Sequence, residues 1–213
     1  MLLDGGGVAT TSQLLTAISR KRLAGFVKSG RLIRVCHGVY ASREPDVCGA
    51  LAAVQLMAGR PVVACMGTAA GLYGFDTEGT SRLHDLDPGV RMRPSPGLMV
   101  HQRIGAPLRH VNGRLATTPA WTAIEMARAL RRPSALATLD ATLHVGACSA
   151  ADLRAAVRAQ SGRRGFVEVR ELLAFADGRT ESPMESGTRM VFSDSGLPRP
   201  ELQYSILDRH GRI

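Results

Sequence analysis

Residues 7–43, GVATTSQLLTAISRKRLAGFVKSGRLIRVCHGVYASR, carry seven Arg and Lys and no Asp or Glu. The spacing constrains the fold as much as the charge does. Thr11 or Ser12 is placed to cap a helix running to about Ala17, with Leu14, Leu15 and Ile18 apolar. Ser19 caps a second helix to about Ser29, on which Leu23, Phe26 and Val27 recur at i, i+3, i+4 and are expected to face inward. Gly30 stands at a helix C-cap position. Leu32, Ile33 and Val35, a turn at Cys36-His37-Gly38, then Val39 and Tyr40 read as a small hairpin with Arg34 and His37 near its tip. Helix, turn, basic helix, basic hairpin is the order of a winged helix-turn-helix. Its second helix enters the major groove and its wing touches the backbone. The competing reading is a small helical unit with a solvated basic face.

The rest of the composition agrees with a polyanion partner. The formal charge is +9 and the pI about 10.4 over 213 residues, which favours nucleic acid or an anionic surface and is silent on fold. Lys21 and Lys28 are the only lysines; the remaining basic residues are Arg, suited to bidentate phosphate and guanine contacts. A GC-rich genome produces the same Arg and Ala bias. Aromatic residues are 4%, so the cores must be built from Ala, Leu, Val and Met. Cys36, Cys48, Cys65 and Cys148 are scattered, without zinc spacing, as expected of a reduced protein. No apolar run reaches transmembrane length and the N-terminus lacks a signal sequence, so a cytoplasmic protein is expected, with no membrane partner.

Beyond Pro45, residues 47–58 are apolar at helical spacing, too uniformly for a surface helix. Residues 62–64 read as a buried strand, 67–73 as a short helix, and 82–86 and 97–102 as strands. Asn112-Gly113 marks a two-residue hairpin turn. Arg91, Arg93, Arg103, Arg109 and Arg114 give this region its own basic character. The C-terminal half is helical. Thr118-Pro119, Ser134 and Ser149 (with Asp152) are expected to open three helices, and residues 166–176 form a fourth. Pro183 opens a fifth to about Ser195; Leu202, Tyr204 and Ile206 alternate as a strand, and residues 208–211 read as a turn.

Catalytic signals are weak. No serine sits in a GxSxG frame, the six His form no HExxH pair, and His84 beside Asp85 reads as a strand-surface pair. Glu181 and Glu185 could face a metal, but Ser182-Pro183-Met184-Glu185 is also a capping box, and the residues alone favour the cap. No catalytic residue, cofactor or metal site is expected, and the chain reads as a non-enzyme.

With these pieces in place, residues 7–43 resemble the N-terminal winged helix of AbiEi-type antitoxins of bacterial type IV toxin–antitoxin systems. The segments VATTSQLL, SRKRLAGFVKSGRL and RVCHGVYA carry the likeness. Residues 47 to about 175, with VVACMGTAAGLYGF, GLMVHQR and NGRLATTPAWTAIEMA, resemble the second domain of the same family. TESPMES and SDSGLPRPELQ are similar to the opening of a very-short-patch-repair-like endonuclease domain of the PD-(D/E)XK class. There a first-helix Glu supports a metal, matched by Glu185 or Glu181; the main carboxylates of that pattern would lie beyond Ile213.

The resemblance implies an α+β chain: a winged helix over 1–44, an antitoxin domain of mixed α/β and then helical structure over 45–178, and a partial endonuclease-like fragment over 179–213. Family members carry a longer helix before VATTSQLL, so the winged helix is expected to lack one bracing helix. The implied function is a transcriptional autorepressor and antitoxin binding inverted repeats of double-stranded DNA in its own promoter. Its functional partner would be a nucleotidyltransferase-like toxin, with no stable complex required. Ser19, Arg20, Lys21 and Arg22 would face the groove, while Lys28, Arg31, Arg34 and His37 hold phosphates. The alternative function is a remnant endonuclease, inactive without its carboxylates.

Overall fold

The computed structural model describes residues 7–79, 82–87, 89, 97–102, 105–162 and 165–205. The basic positions Arg91, Arg93 and Arg103, the strand residue Ile206 and the turn expected at 208–211 lie outside these. The chain divides into two compact units: residues 1–72 with 80–118, and residues 73–79 with 119–213.

The first unit opens with β1 (Val8–Thr10), α1 (Thr11–Leu15), α2 (Arg20–Lys28), β2 (Ile33–Cys36) and β3 (Val39–Ala41). Thr10 caps α1, one residue before the expected position, because it forms a capping box with Gln13. Ser19 caps α2 as expected, its hydroxyl accepting from the Arg22 amide at 3.3 Å. The strands form an antiparallel sheet in the order β1-β3-β2. Arg34 pairs with Tyr40 and Cys36 with Val39, leaving Val35 as an extra residue in β2. Without that bulge Arg34 and Cys36 would share a face; with it Arg34 stays beside Tyr40 while Cys36 enters the core.

One face of this sheet covers Leu14 and Leu23, through Ala9 and Tyr40. The other face, Val8, Cys36, Val39 and Ala41, packs on α3 (Val47–Ala58) at Ala52 and Ala53. α3 thus braces the sheet on the face opposite α1 and α2. The uniform apolarity of residues 47–58 follows from this position: Gly49 and Leu51, Ala52, Ala53 and Val54 are buried, and Gly59 ends the helix with φ +66°.

The same unit continues with β4 (Val63–Ala64), α4 (Met66–Tyr73), β5 (Leu83–Leu86), β6 (Leu98–His101), β7 (Leu108–Val111) and β8 (Arg114–Thr117). These strands make a five-stranded sheet in the order β6-β5-β4-β8-β7. β5/β6 and β4/β8 are parallel, β4/β5 and β7/β8 antiparallel. Asn112 and Gly113 turn the β7–β8 hairpin with φ +49° and +71°, the positive pair that a two-residue primed turn needs.

The second unit is helical: α5 (Pro119–Ala129), α6 (Arg132–His144), α7 (Ala150–Ala159), α8 (Phe166–Leu173) and α9 (Pro183–Asp194). Ser149 and Asp152 form the expected capping box. Ser134 does not cap α6: Arg131 is the N-cap, three residues earlier, with Pro133 in the first turn. α8 stops at Leu173, short of Ala176. Residues 202–205 form no strand, and Tyr204 is 68% exposed. Among the described residues no helix is long and apolar enough to cross a membrane, and the four cysteines are free thiols.

Candidate nucleic-acid interface

α2 touches the rest of its unit along a narrow line. Leu23 alone is buried, Phe26 is half-buried, and Arg20, Lys21, Arg22, Ala24, Gly25, Val27 and Lys28 are exposed. Val27, expected inward, is 36% exposed, since it lies at the edge of a groove rather than over the sheet. A nine-residue helix held by one buried side chain presents most of its circumference to solvent.

Six of the eight expected contact residues fall into three groups around this helix. Arg20, Lys28 and Arg34 border a groove of about 490 Å³ between α2 and the β2–β3 hairpin, floored by Leu23 and Tyr40 with Val27 at its edge. Arg22 and Arg31 lie over the Phe26 ring, their guanidinium carbons 5.4 and 5.6 Å from its centroid. At the hairpin tip Arg34 Nη2 donates to His37 Nδ1 at 3.1 Å. The tip is anchored to α1: the Gly38 carbonyl accepts from the Thr11 amide at 2.8 Å and from its hydroxyl at 3.2 Å. Ser19 works as a cap, so its hydroxyl is already engaged. Lys21 stands on the outward face.

Among the described residues no carboxylate pairs with Arg20, Lys21, Arg22, Lys28, Arg31 or Arg34. Three of these cations occupy the first turn of α2, where the helix dipole is positive and cations are unfavourable by some tenths of a kcal/mol each. No carboxylate among the described residues offsets that repulsion. An external anion bound there would.

The other candidate residues have structural occupations. Glu185 accepts from the Glu181 amide at 3.1 Å and the Ser182 hydroxyl at 3.2 Å, while its own amide donates to Ser182 Oγ at 3.2 Å. The cap is therefore present, with the return bond going to Glu181 rather than to the Ser182 amide. Among the described residues no group of three or more His, Cys, Asp and Glu is placed to hold a metal. His84 and Asp85 are not a surface pair: they point to opposite faces of β5. His84 stacks on His101 with centroids 5.0 Å apart and Nδ1–Nε2 2.8 Å. Asp85 is fully buried, and neither carboxyl oxygen has a hydrogen-bond partner among the described residues. Burial pushes its carboxyl up to about 7, with nearby Asp87 adding to the shift.

Residues 1–43 match the family described as "Transcriptional regulator, AbiEi antitoxin", and residues 62–175 match the "AbiEi antitoxin C-terminal domain". The chain belongs to the AbiEi antitoxin family. Its matched domains are regulatory rather than catalytic and give it the antitoxin part in a toxin–antitoxin system, together with transcription regulation. This AbiEi protein is also 60% identical over 196 residues to "Uncharacterized protein MT2308" of Mycobacterium tuberculosis strain CDC 1551 / Oshkosh and to "Uncharacterized protein Rv2248" of strain H37Rv. The alignment covers 92% of this chain and 72% of each relative. α3, which braces the first sheet, lies between the two matched segments.

Proposed function

We propose that this AbiEi protein is a DNA-binding autorepressor that works as a winged helix-turn-helix. α2 enters the major groove of its own promoter, and the β2–β3 hairpin serves as the wing. The observation that carries the reading is the acid-free face of α2 and the hairpin: six cations without a carboxylate partner among the described residues, three of them set against the helix dipole. Element order and sheet order support it, as does the regulator family matched by residues 1–43.

Lys21 and Arg22 reach base edges from the first turn. Arg20, Lys28 and Arg34 line a channel for one strand of the backbone, with Arg31 and His37 at its ends. The sites are inverted repeats, and the protein acts in the cytoplasm. The antitoxin role is exercised against a nucleotidyltransferase-like toxin without a lasting complex, as the family likeness implies.

The test is fluorescence anisotropy with the duplex upstream of the gene and a shuffled duplex. Replacing Arg20, Lys21 and Arg22 by Ala is expected to weaken promoter binding by about 1–3 kcal/mol for each side chain that reads a base, and to flatten the salt dependence for each one that neutralises a phosphate. Unchanged affinity would place DNA binding elsewhere on the protein.

A further inference from the structure

Gly25 is in the interior of α2, exposed, and two residues from the buried Leu23. Helical periodicity puts it on the opposite face, one turn after Lys21 and Arg22 and one turn before Lys28. Glycine is the least favourable residue at such a position apart from proline. Two internal reasons for it are absent. Its backbone does not adopt a positive φ, and a Cβ built there would meet nothing within 4 Å. The fold would therefore accept alanine and gain helix stability from it. The need for a bare position comes from whatever docks on this face, and the cations around it mark that partner as anionic.

We propose that Gly25 is the point where the main chain of α2 comes closest to duplex DNA. The missing side chain lets the helix backbone touch the groove, while Lys21, Arg22 and Lys28 reach past it on either side to bases and phosphates. The proposal rests on the DNA-binding reading above and adds a position that carries no charge. Close approach exists in the fitted, specific complex and not in the loose, salt-driven nonspecific one. Gly25 therefore sets specificity more than general affinity.

The experiment measures melting temperature and DNA affinity for the full chain, Gly25→Ala, Gly25→Leu and a Lys21→Ala/Arg22→Ala double variant, on the promoter duplex and a shuffled duplex. Gly25→Ala is expected to melt about 2–4 °C higher and yet bind the promoter at least about fivefold more weakly, with shuffled-duplex binding within about twofold of the parent. Gly25→Leu is expected to bind the promoter more weakly still. Promoter affinity kept or improved in Gly25→Ala overturns the proposal, as does an equal loss on both duplexes. If the double variant weakens promoter binding while Gly25→Ala does not, this proposal alone fails. If the parent shows no promoter preference, the DNA reading fails and takes the proposal with it.

Discussion

Arg189 of α9 reaches into the helical unit and bonds Asp140 of α6, Nη1 to Oδ2 at 2.8 Å, with the Asp140 side chain 1% exposed. The same guanidinium donates to Thr180 Oγ1 at 2.6 Å and to the Phe175 carbonyl. The Asp140 carboxyl also accepts from Ser186 Oγ and from the Asp177 amide, both at 2.7 Å. Burial raises the Asp140 pKa, and these donors and the Arg189 charge offset only part of the rise. The polar atoms that the pair removes from water are thus re-engaged inside the protein. α9 is fastened to α6 by a polar network.

Removing one partner leaves the other charge buried without compensation. Arg189→Leu is expected to lower stability by about 3–5 kcal/mol. The double variant Asp140→Leu/Arg189→Leu should recover part of the loss, because it removes both desolvation penalties. Denaturant unfolding of the four proteins of that cycle checks it; an additive double variant would mean that the two side chains do not depend on each other.

Asp85 makes an opposite prediction. A carboxyl raised from 3.8 to about 7 by burial holds its proton in the folded protein at pH values where the unfolded chain has released it. Its contribution to stability is fully present below about pH 4 and is lost as pH rises toward 7. The full span is roughly 4 kcal/mol. Asp85→Asn keeps the shape and removes the titration. After allowing about 1–3 kcal/mol for an unpaired buried amide, it should be roughly 1–3 kcal/mol more stable than the parent at pH 8, with a flatter stability–pH curve between 4 and 7. Urea midpoints at several pH values read this directly.

These two aspartates show where sequence reading stops. Caps and turns are legible because their chemistry lies within four residues: Ser19 with the Arg22 amide, Ser149 with Asp152, Asn112-Gly113 at the hairpin. The cationic surface is legible for the same reason, being concentrated on one helix and its hairpin. Asp140 and Arg189 are 49 residues apart and share no local signature. In Leu83-His84-Asp85-Leu86 the two polar residues stand side by side and read as a pair on a strand surface, yet β5 is paired on both sides, with β4 and β6, and Asp85 and Leu86, on its opposite faces, are both buried. A 3.6-residue period assigns Phe26 and Val27 to the core. The short α2 meets the sheet through Leu23, leaving Val27 at a groove and Phe26 beneath two arginines.

That placement of Phe26 gives it a role in orientation. Cation–π contacts at exposed sites are worth about 0.5–1 kcal/mol, enough to bias where Arg22 and Arg31 spend their time. Phe26→Leu keeps an apolar side chain beside Leu23 and removes the aromatic face. Promoter affinity is expected to fall about two- to fivefold with the salt slope unchanged, because the variant keeps every charge. Arg22→Ala should instead reduce both. Anisotropy titrations at three salt concentrations separate the two patterns.

Gly178 lies five residues beyond the end of α8, and its constraint is packing. A Cβ at this position would lie 3.1 Å from the Leu143 carbonyl carbon, 3.1 Å from its Cβ and 3.3 Å from the His144 amide nitrogen, at the end of α6. Two of these are backbone atoms, which cannot swing aside as a side-chain tip can. The approach is locked from the other side by His144 Nδ1, which donates to the Gly178 carbonyl at 3.0 Å. Gly178→Ala is expected to destabilise the protein by about 1–3 kcal/mol. Gly187 in α9 is the matched control: a Cβ there meets nothing within 4 Å, so Gly187→Ala should stabilise by up to about 1 kcal/mol. Thermal melts of the two variants should move in opposite directions; a Gly178→Ala protein that melts with or above the parent would show that the end of α6 can give way.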